Sequence, residues 1–134
     1  MINIKMKGYK VSEISFVNKH ENGFKTELDK KISYMVKYNG SNICIGEFTA
    51  EMFDKNAPDK FRIKVIFNGM FEYDPSVIKE KIHIETFKEL FPYVRSVISS
   101  VTVNAGLPPM ILPAVDIESE TICRYDPGNL KGDK

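Results

Sequence analysis

The chain has 134 residues, of which 43% are hydrophobic and 28% are charged. This composition is typical of one soluble globular domain with a single core. Lys and Arg number 19 against 18 Asp and Glu, a formal net charge of +1, so the charge balance favours neither nucleic acid nor an acidic membrane surface as a partner. No apolar run approaches the roughly 20 residues that span a bilayer, and the first residues do not resemble a signal peptide. We therefore predict a cytoplasmic protein without membrane insertion.

The first half of the chain alternates between apolar and polar residues, a period that is typical of strands. Near the start, Tyr9 and Val11 are out of phase with Ile14 and Phe16, as expected for one strand with a bulge or for two shorter pieces. A second strand has apolar residues at Ile32, Tyr34, Val36 and Tyr38. The dipeptide Asn39-Gly40 after it is typical of a tight hairpin turn, with a returning strand that begins near Ile43.

A fourth strand shows the longest alternation in the chain. Gly69 interrupts its apolar face and indicates either a bulge or a close approach of another group to the backbone. The apolar positions of this strand are Phe61, Ile63, Val65, Phe67, Phe71 and Tyr73. Together the four strands predict an antiparallel meander.

Helical spacing follows Asp74-Pro75, with apolar residues at Ile84, Phe87, Phe91, Val94, Ile98 and Val101. Pro92 predicts either a helix start or a kink, Gly106 a left-handed cap, and the following prolines the end of the helix. Asp116 is a candidate cap for a short second helix that reaches Arg124. We expect an α+β fold in one domain over residues 1–126, with the sheet packed under a helix over residues 84–104 and a polar, disordered tail over residues 127–134.

One stretch of the helix and its exit carries a specific resemblance. Its residues are Leu90, Phe91, Pro92, Tyr93, Arg95, Ile98, Gly106 and Pro109. They are similar to the helix and crossover loop of SecB, the bacterial export chaperone. The closing leucine of the family motif is replaced by Pro113, and Leu112 stands one place earlier. Short pieces over residues 12–16 and 65–71 are similar to the first and fourth strands of the family, in the same order.

Enzyme chemistry finds little support in these residues. His83-Ile84-Glu85 matches the start of a zinc-deaminase motif, but the Cys pair that completes it is absent, so a solvated histidine at a helix start is the simpler interpretation. No phosphate loop, nucleophile elbow or metal-ligand pattern appears. Cys44 and Cys123 have no paired spacing and are expected to be reduced thiols. We predict a protein that is not an enzyme and holds no cofactor or metal.

The aromatic content of 9 Phe and 6 Tyr favours a binding protein. The apolar face of the fourth strand exceeds what one short helix can cover, which leaves a subunit interface or a groove for apolar polypeptide as outlets, with an entirely internal core as the alternative. The resemblance implies both outlets. It places Ile63, Val65 and Phe67 where the family joins dimers into a homotetramer. It places Phe61, Ile32, Tyr34 and Val36 at a client groove whose other wall carries Leu107, Pro109 and Ile111.

The resemblance implies a holdase chaperone that binds unfolded polypeptides for protein export. A chaperone of a toxin–antitoxin system and a non-catalytic interaction domain are the alternatives. The export motor SecA docks on acidic residues of the sheet in this family. Glu13 keeps one such position, whereas Val17 and Lys64 stand where acidic residues are expected, and Arg62 is predicted on the same face as Lys64. SecA binding is therefore uncertain, because a reversed charge slows association and adds repulsion.

Overall fold

The computed structural model describes residues 3–20 and 27–113. Four strands precede one long helix: β1 (Ile4–Asn18), β2 (Leu28–Tyr38), β3 (Ile43–Asp54), β4 (Phe61–Tyr73) and α1 (Lys79–Asn104). This arrangement confirms the predicted α+β class, with one antiparallel sheet and one helix on it. The predicted second helix over residues 116–124 and the predicted tail over residues 127–134 lie outside the described residues.

The strands are ordered β1-β4-β3-β2 across the sheet, and each neighbouring pair is antiparallel. The predicted meander is correct for β2, β3 and β4. It is wrong for β1, which pairs with β4 at the far edge instead of with β2, as in a Greek-key arrangement. The period of 2 shows which side chains share a face, but it carries no information about which strand lies alongside.

Two bulges interrupt the pairing of β1 with β4. The register shifts between Met6 and Gly8, and again between Val11 and Glu13. The second shift accounts for the change of phase between Val11 and Ile14, and it shows that β1 is one bulged strand instead of two pieces.

The connection between β2 and β3 is longer than a two-residue turn. Asn39 N–H donates to the Ile43 carbonyl over 3.0 Å, and Asn42 is in the left-handed region at φ 59°. The predicted hairpin is therefore present, but its positive φ lies at Asn42 and not at Gly40. Asparagine tolerates this conformation better than other non-glycine residues.

Helix α1 begins at Lys79, five residues before the predicted start, and Pro92 lies inside it. Its end is a Schellman motif, in which Gly106 N–H donates to the Val103 carbonyl and Leu107 N–H to the Thr102 carbonyl, both over 3.0 Å. Gly106 has φ 88°, as its predicted capping role requires. This cap turns the chain back towards the helix.

The helix contacts all four strands of the sheet. Thr86 bonds to Tyr34 of β2, and the Phe87 ring stacks on Phe48 of β3. Leu90 fills the space above Gly69 of β4, where a Cβ atom would lie 2.8 Å from Leu90 Cδ2. Gly69 stays in register with both neighbouring strands, so its role is the close approach and not a bulge.

Candidate functional site

The segment after α1 folds back along the end of the helix. Ser99 Oγ donates a hydrogen bond to the Met110 carbonyl over 2.8 Å. Met110 N–H in turn donates to Thr102 Oγ1 over 3.0 Å. Residue 110 is therefore fastened to the helix through both of its backbone polar groups. We call residues 105–113 the crossover loop.

From residue 109 to residue 113, side chains of the crossover loop alternate between the solvent and the core. Leu112 is fully buried, and Met110 packs against the core cluster. Pro109 is exposed, Ile111 is 54% exposed and Leu107 is half-buried. Of the three loop residues predicted as client contacts, Pro109 and Ile111 thus face solvent and Leu107 is partly exposed, while Met110 and Leu112 anchor the loop. An apolar ridge held at a fixed position can contact apolar side chains of an incoming chain.

The predicted contacts on the sheet have a different environment. Ile32, Tyr34 and Val36 are 2%, 6% and 8% exposed, and Phe61 is 2% exposed. The Tyr34 ring lies between Phe48 and Phe87, at centroid distances of 5.7 and 5.4 Å. These four side chains belong to the core of the chain, so they have little surface to offer a client.

The apolar face of β4 is likewise internal. Ile63, Val65 and Phe67, predicted as the seam between dimers, have no exposed surface. We expected more apolar surface on β4 than one helix can cover, but the helix covers this face along its length. Helix α1 has 26 residues and β4 has 13. At about 1.5 Å and 3.3 Å per residue their lengths are nearly equal. The assignment of these three residues to a subunit interface is corrected to core packing.

An apolar surface that the sequence prediction missed lies where β1 meets the helix. Tyr9 is 45% exposed, Ile14 is 50% exposed and Tyr93 is 40% exposed. The rings of Tyr9 and Tyr93 are 4.9 Å apart. We call these residues, with the partly buried Val11 and Phe16, the β1–α1 surface. The sequence did contain one indication of this surface, because Tyr93 is an aromatic residue outside the predicted apolar stripe of the helix.

The sheet face opposite the helix carries the residues considered for SecA docking. Glu13 pairs with Ile66 in the sheet, Val17 with Arg62, and Ser15 with Lys64. Glu13 is exposed and accepts a hydrogen bond from Ser15 Oγ over 2.9 Å. Arg62 Nε lies 3.3 Å from Glu51 Oε2. The expected basic patch at Arg62 and Lys64 is therefore partly neutralised by a carboxylate on β3.

The residues considered for catalysis are buried or dispersed. Burial raises the pKa of the Cys44 thiol to about 11, which keeps it protonated and weakly nucleophilic at neutral pH. His83 was predicted to be solvated, but it is 5% exposed and packs 5.1 Å from the Tyr34 ring. Over residues 3–20 and 27–113, no three His, Cys, Asp or Glu side chains form a group that could hold a metal ion. In the same residues, no helix has the length and hydropathy of a membrane span.

Comparison with known proteins identifies the family of the chain. The family described as preprotein translocase subunit SecB matches residues 45–119, more than half of the chain. The chain belongs to the SecB family. Because SecB-like chaperones are not enzymes, this membership confirms the prediction that the chain is not an enzyme.

Individual relatives match this chain over different lengths. The protein MJ0357 of Methanocaldococcus jannaschii is 31% identical over 85% of this chain and 79% of its own length. The protein-export protein SecB of Anaplasma marginale is 37% identical over 54 residues, which are 40% of this chain and 31% of that protein. The SecB-like chaperone Rv1957 of Mycobacterium tuberculosis, solved in complex with a ChAD peptide from the HigA1 antitoxin, superimposes with a TM-score of 0.66. That match has 14% identity and covers 85% of this chain and 88% of Rv1957, so it supports the SecB-like fold.

Proposed function

We propose that this SecB-family protein is a cytoplasmic holdase, which binds unfolded polypeptides without nucleotide, metal or cofactor. The observation that carries the proposal is the crossover loop, whose outward residues Leu107, Pro109 and Ile111 form an apolar ridge on a fixed backbone. A solved relative of the same fold holds an antitoxin peptide. Unfolded chains present scattered apolar side chains, and a shallow apolar ridge can contact many of them without a sequence code.

The proposed assembly is a dimer of dimers that uses the β1–α1 surface in place of the core residues of β4. Tyr9, Ile14 and Tyr93 form an exposed apolar area beside the open edge of β1. Contiguous exposed apolar area of this kind marks protein interaction sites. A second copy that pairs along this edge would cover these side chains and bring two crossover loops into one assembly.

Service to a toxin–antitoxin pair is the second candidate function. It is supported by the fold shared with Rv1957, whose solved complex contains a peptide of the HigA1 antitoxin. Protein export is supported by the match to the SecB family and by the similarity to the SecB of Anaplasma marginale. Isolation of the protein from its own cell, with identification of the bound polypeptides, separates the two: a secretory precursor supports export, and an antitoxin supports the second function.

The holdase proposal is tested by suppression of aggregation of a chemically denatured model protein. We expect protection near one oligomer per client, and we expect Ile111→Ser combined with Leu107→Ser to reduce it. The matched control is Met35→Ser, which removes a side chain with a similar exposure of 50% from the opposite face of the sheet. Absence of protection by the unmodified protein would reject the holdase and favour a non-catalytic interaction domain. Equal loss in the control would reject the crossover loop as the binding wall.

A further inference from the structure

A depression lies on the sheet face opposite the helix, away from the crossover loop. It has a volume of ≈610 Å³ and is lined by Lys7, Gly8, Tyr9, Lys10, Ile45, Asn68 and Met70. Gly8, Met70 and Ile45 lie side by side on β1, β4 and β3. Because Gly8 has no side chain, this row is open at its β1 end, and a Cβ atom built there meets nothing within 4 Å.

The lining combines an apolar floor with a basic rim. Ile45 is half-buried and Met70 is 45% exposed, so both present apolar surface to solvent. Lys7 and Lys10 are exposed on the rim, and no carboxylate lines the depression. Within the described part of the chain, Lys10 takes part in no ion pair.

Two carboxylates stand close to this rim. Glu72 Oε1 lies 3.7 Å from Lys7 Nζ, and both side chains are exposed. Such an ion pair contributes little to stability in water. Asn68 pairs with Lys10 of β1 on one side and with Glu47 of β3 on the other. Glu47 and Lys10 therefore lie on opposite sides of Asn68. The local balance of the lining itself stays positive, and it attracts a negatively charged ligand within a Debye length of about 8 Å.

We propose that this depression docks an acidic peptide segment of a partner protein, with one apolar side chain of the segment on Ile45 and Met70 and its carboxylates beside Lys7 and Lys10. Charge complementarity selects an acidic over a basic segment, and the apolar floor selects a peptide over a simple anion. The site is separate from the proposed client wall, since the crossover loop packs on the helix and the depression lies on the other face of the sheet.

The test uses the full-length protein and two fluorescein-labelled ten-residue peptides, in which Leu alternates with Glu or with Lys. Fluorescence anisotropy should show tighter binding of the acidic peptide, by about tenfold, and this preference should shrink with added salt. The double variant Lys7→Glu with Lys10→Glu should reverse the preference. Gly8→Leu adds a side chain where a Cβ atom meets nothing within 4 Å, and it should weaken binding of the acidic peptide by about tenfold while the thermal midpoint stays unchanged.

The control variant is Ile111→Ser, which alters the proposed client wall only and should leave the preference for the acidic over the basic peptide unchanged. If Ile111→Ser abolishes peptide binding while Gly8→Leu does not, the peptide occupies the client wall and the docking site is rejected. Equal affinity for the two peptides also rejects it. If Gly8→Leu reduces the molecular mass in light scattering, the depression is a contact between copies of this chain and the proposed partner is wrong. Each of these results leaves the aggregation assay of the holdase unaffected.

Discussion

The hydroxyl group of Tyr34 donates a hydrogen bond to Oγ1 of Thr86 over 2.5 Å, and it ties the edge strand β2 to the helix inside the core. Thr86 Oγ1 in turn donates to the Ile82 carbonyl over 2.8 Å. The Tyr34 ring lies above Gly46 of β3, where a Cβ atom would be 2.9 Å from Tyr34 Cζ. The bond and the glycine together position a bulky ring under the helix.

We expect Gly46→Ala to destabilise the protein by about 1–3 kcal/mol, because the methyl group overlaps a ring that has no room to move. The measurement is the free energy of unfolding in urea. The matched control is Gly8→Ala on β1, where a Cβ atom has no neighbour within 4 Å, and it should leave the free energy nearly unchanged. Equal losses at the two glycines would contradict the packing of Tyr34 over Gly46.

The β1–α1 surface and the core face of β4 should respond differently to a charge. Ile14 is 50% exposed, so Ile14→Asp should leave the fold intact and yield a smaller species in light scattering. Val65 is fully buried, so Val65→Asp should unfold the chain, because an unpaired charge in a core is costly. Circular dichroism separates the two outcomes. A folded, dissociated Val65→Asp protein would instead support the seam that was first assigned to β4.

Weak or absent binding of SecA is expected from the charges on the outer sheet face. Glu13 is retained as an acidic residue, whereas Arg62 and Lys64 are basic. The double variant Arg62→Glu with Lys64→Glu should strengthen SecA binding, since alternate side chains on one face lie about 7 Å apart and act together on an approaching partner. Salt-sensitive binding of micromolar or better affinity by the unmodified protein would contradict this expectation. Binding by the charge-reversed variant serves as the control, because it shows that the SecA used in the experiment is a suitable partner.

The Cys44 thiol should be unreactive in the folded protein. Burial raises its pKa to about 11 from an ordinary value of 9.0, so it stays protonated, and its side chain has no exposed surface. In a Cys123→Ser background, a thiol-specific reagent at pH 8 should modify Cys44 slowly until urea unfolds the chain. Fast modification without urea would contradict this burial.

The same thiol predicts the sign of a pH effect. Between pH 9.0 and about 11 the folded state retains the Cys44 proton that the unfolded chain loses, so the free energy of unfolding falls as pH rises through this window. Cys44→Ala should lessen this fall relative to the unmodified protein. The difference between the two proteins isolates the contribution of Cys44 to the pH dependence, because every other titratable group is the same in both. An identical pH dependence in the two proteins would contradict the assignment.

Local patterns predicted the elements of this fold well. Alternation identified the strands, and the glycine at position 106 identified the end of the helix, because both effects act between residues close in sequence. The partner of β1 was missed because alternation describes one strand at a time. The coverage of β4 was underestimated because the helix begins at Lys79, where Lys79, Glu80 and Lys81 hide the start of the apolar stripe.

The candidate site shows a similar division between local and long-range information. Gly106 and the prolines after it predicted where the helix ends, whereas the resemblance to SecB placed Leu107, Pro109 and Ile111 on the loop that follows. Ile32 and Tyr34 share their apolar character with any groove residue, yet they are buried. Composition and period alone do not distinguish a side chain that meets the helix of its own chain from one that meets a client.

Buried and exposed positions of the crossover loop differ in how freely they can be substituted during evolution. Leu112 and Met110 complete the core, so substitutions there are limited by the stability of the whole fold. Ile111 faces solvent one residue away, and the hydrogen bonds that hold the loop to the helix are made by the backbone of Met110 and not by the Ile111 side chain. Under the proposed function, client preference can therefore diverge through single exposed positions such as Ile111, at little risk to folding.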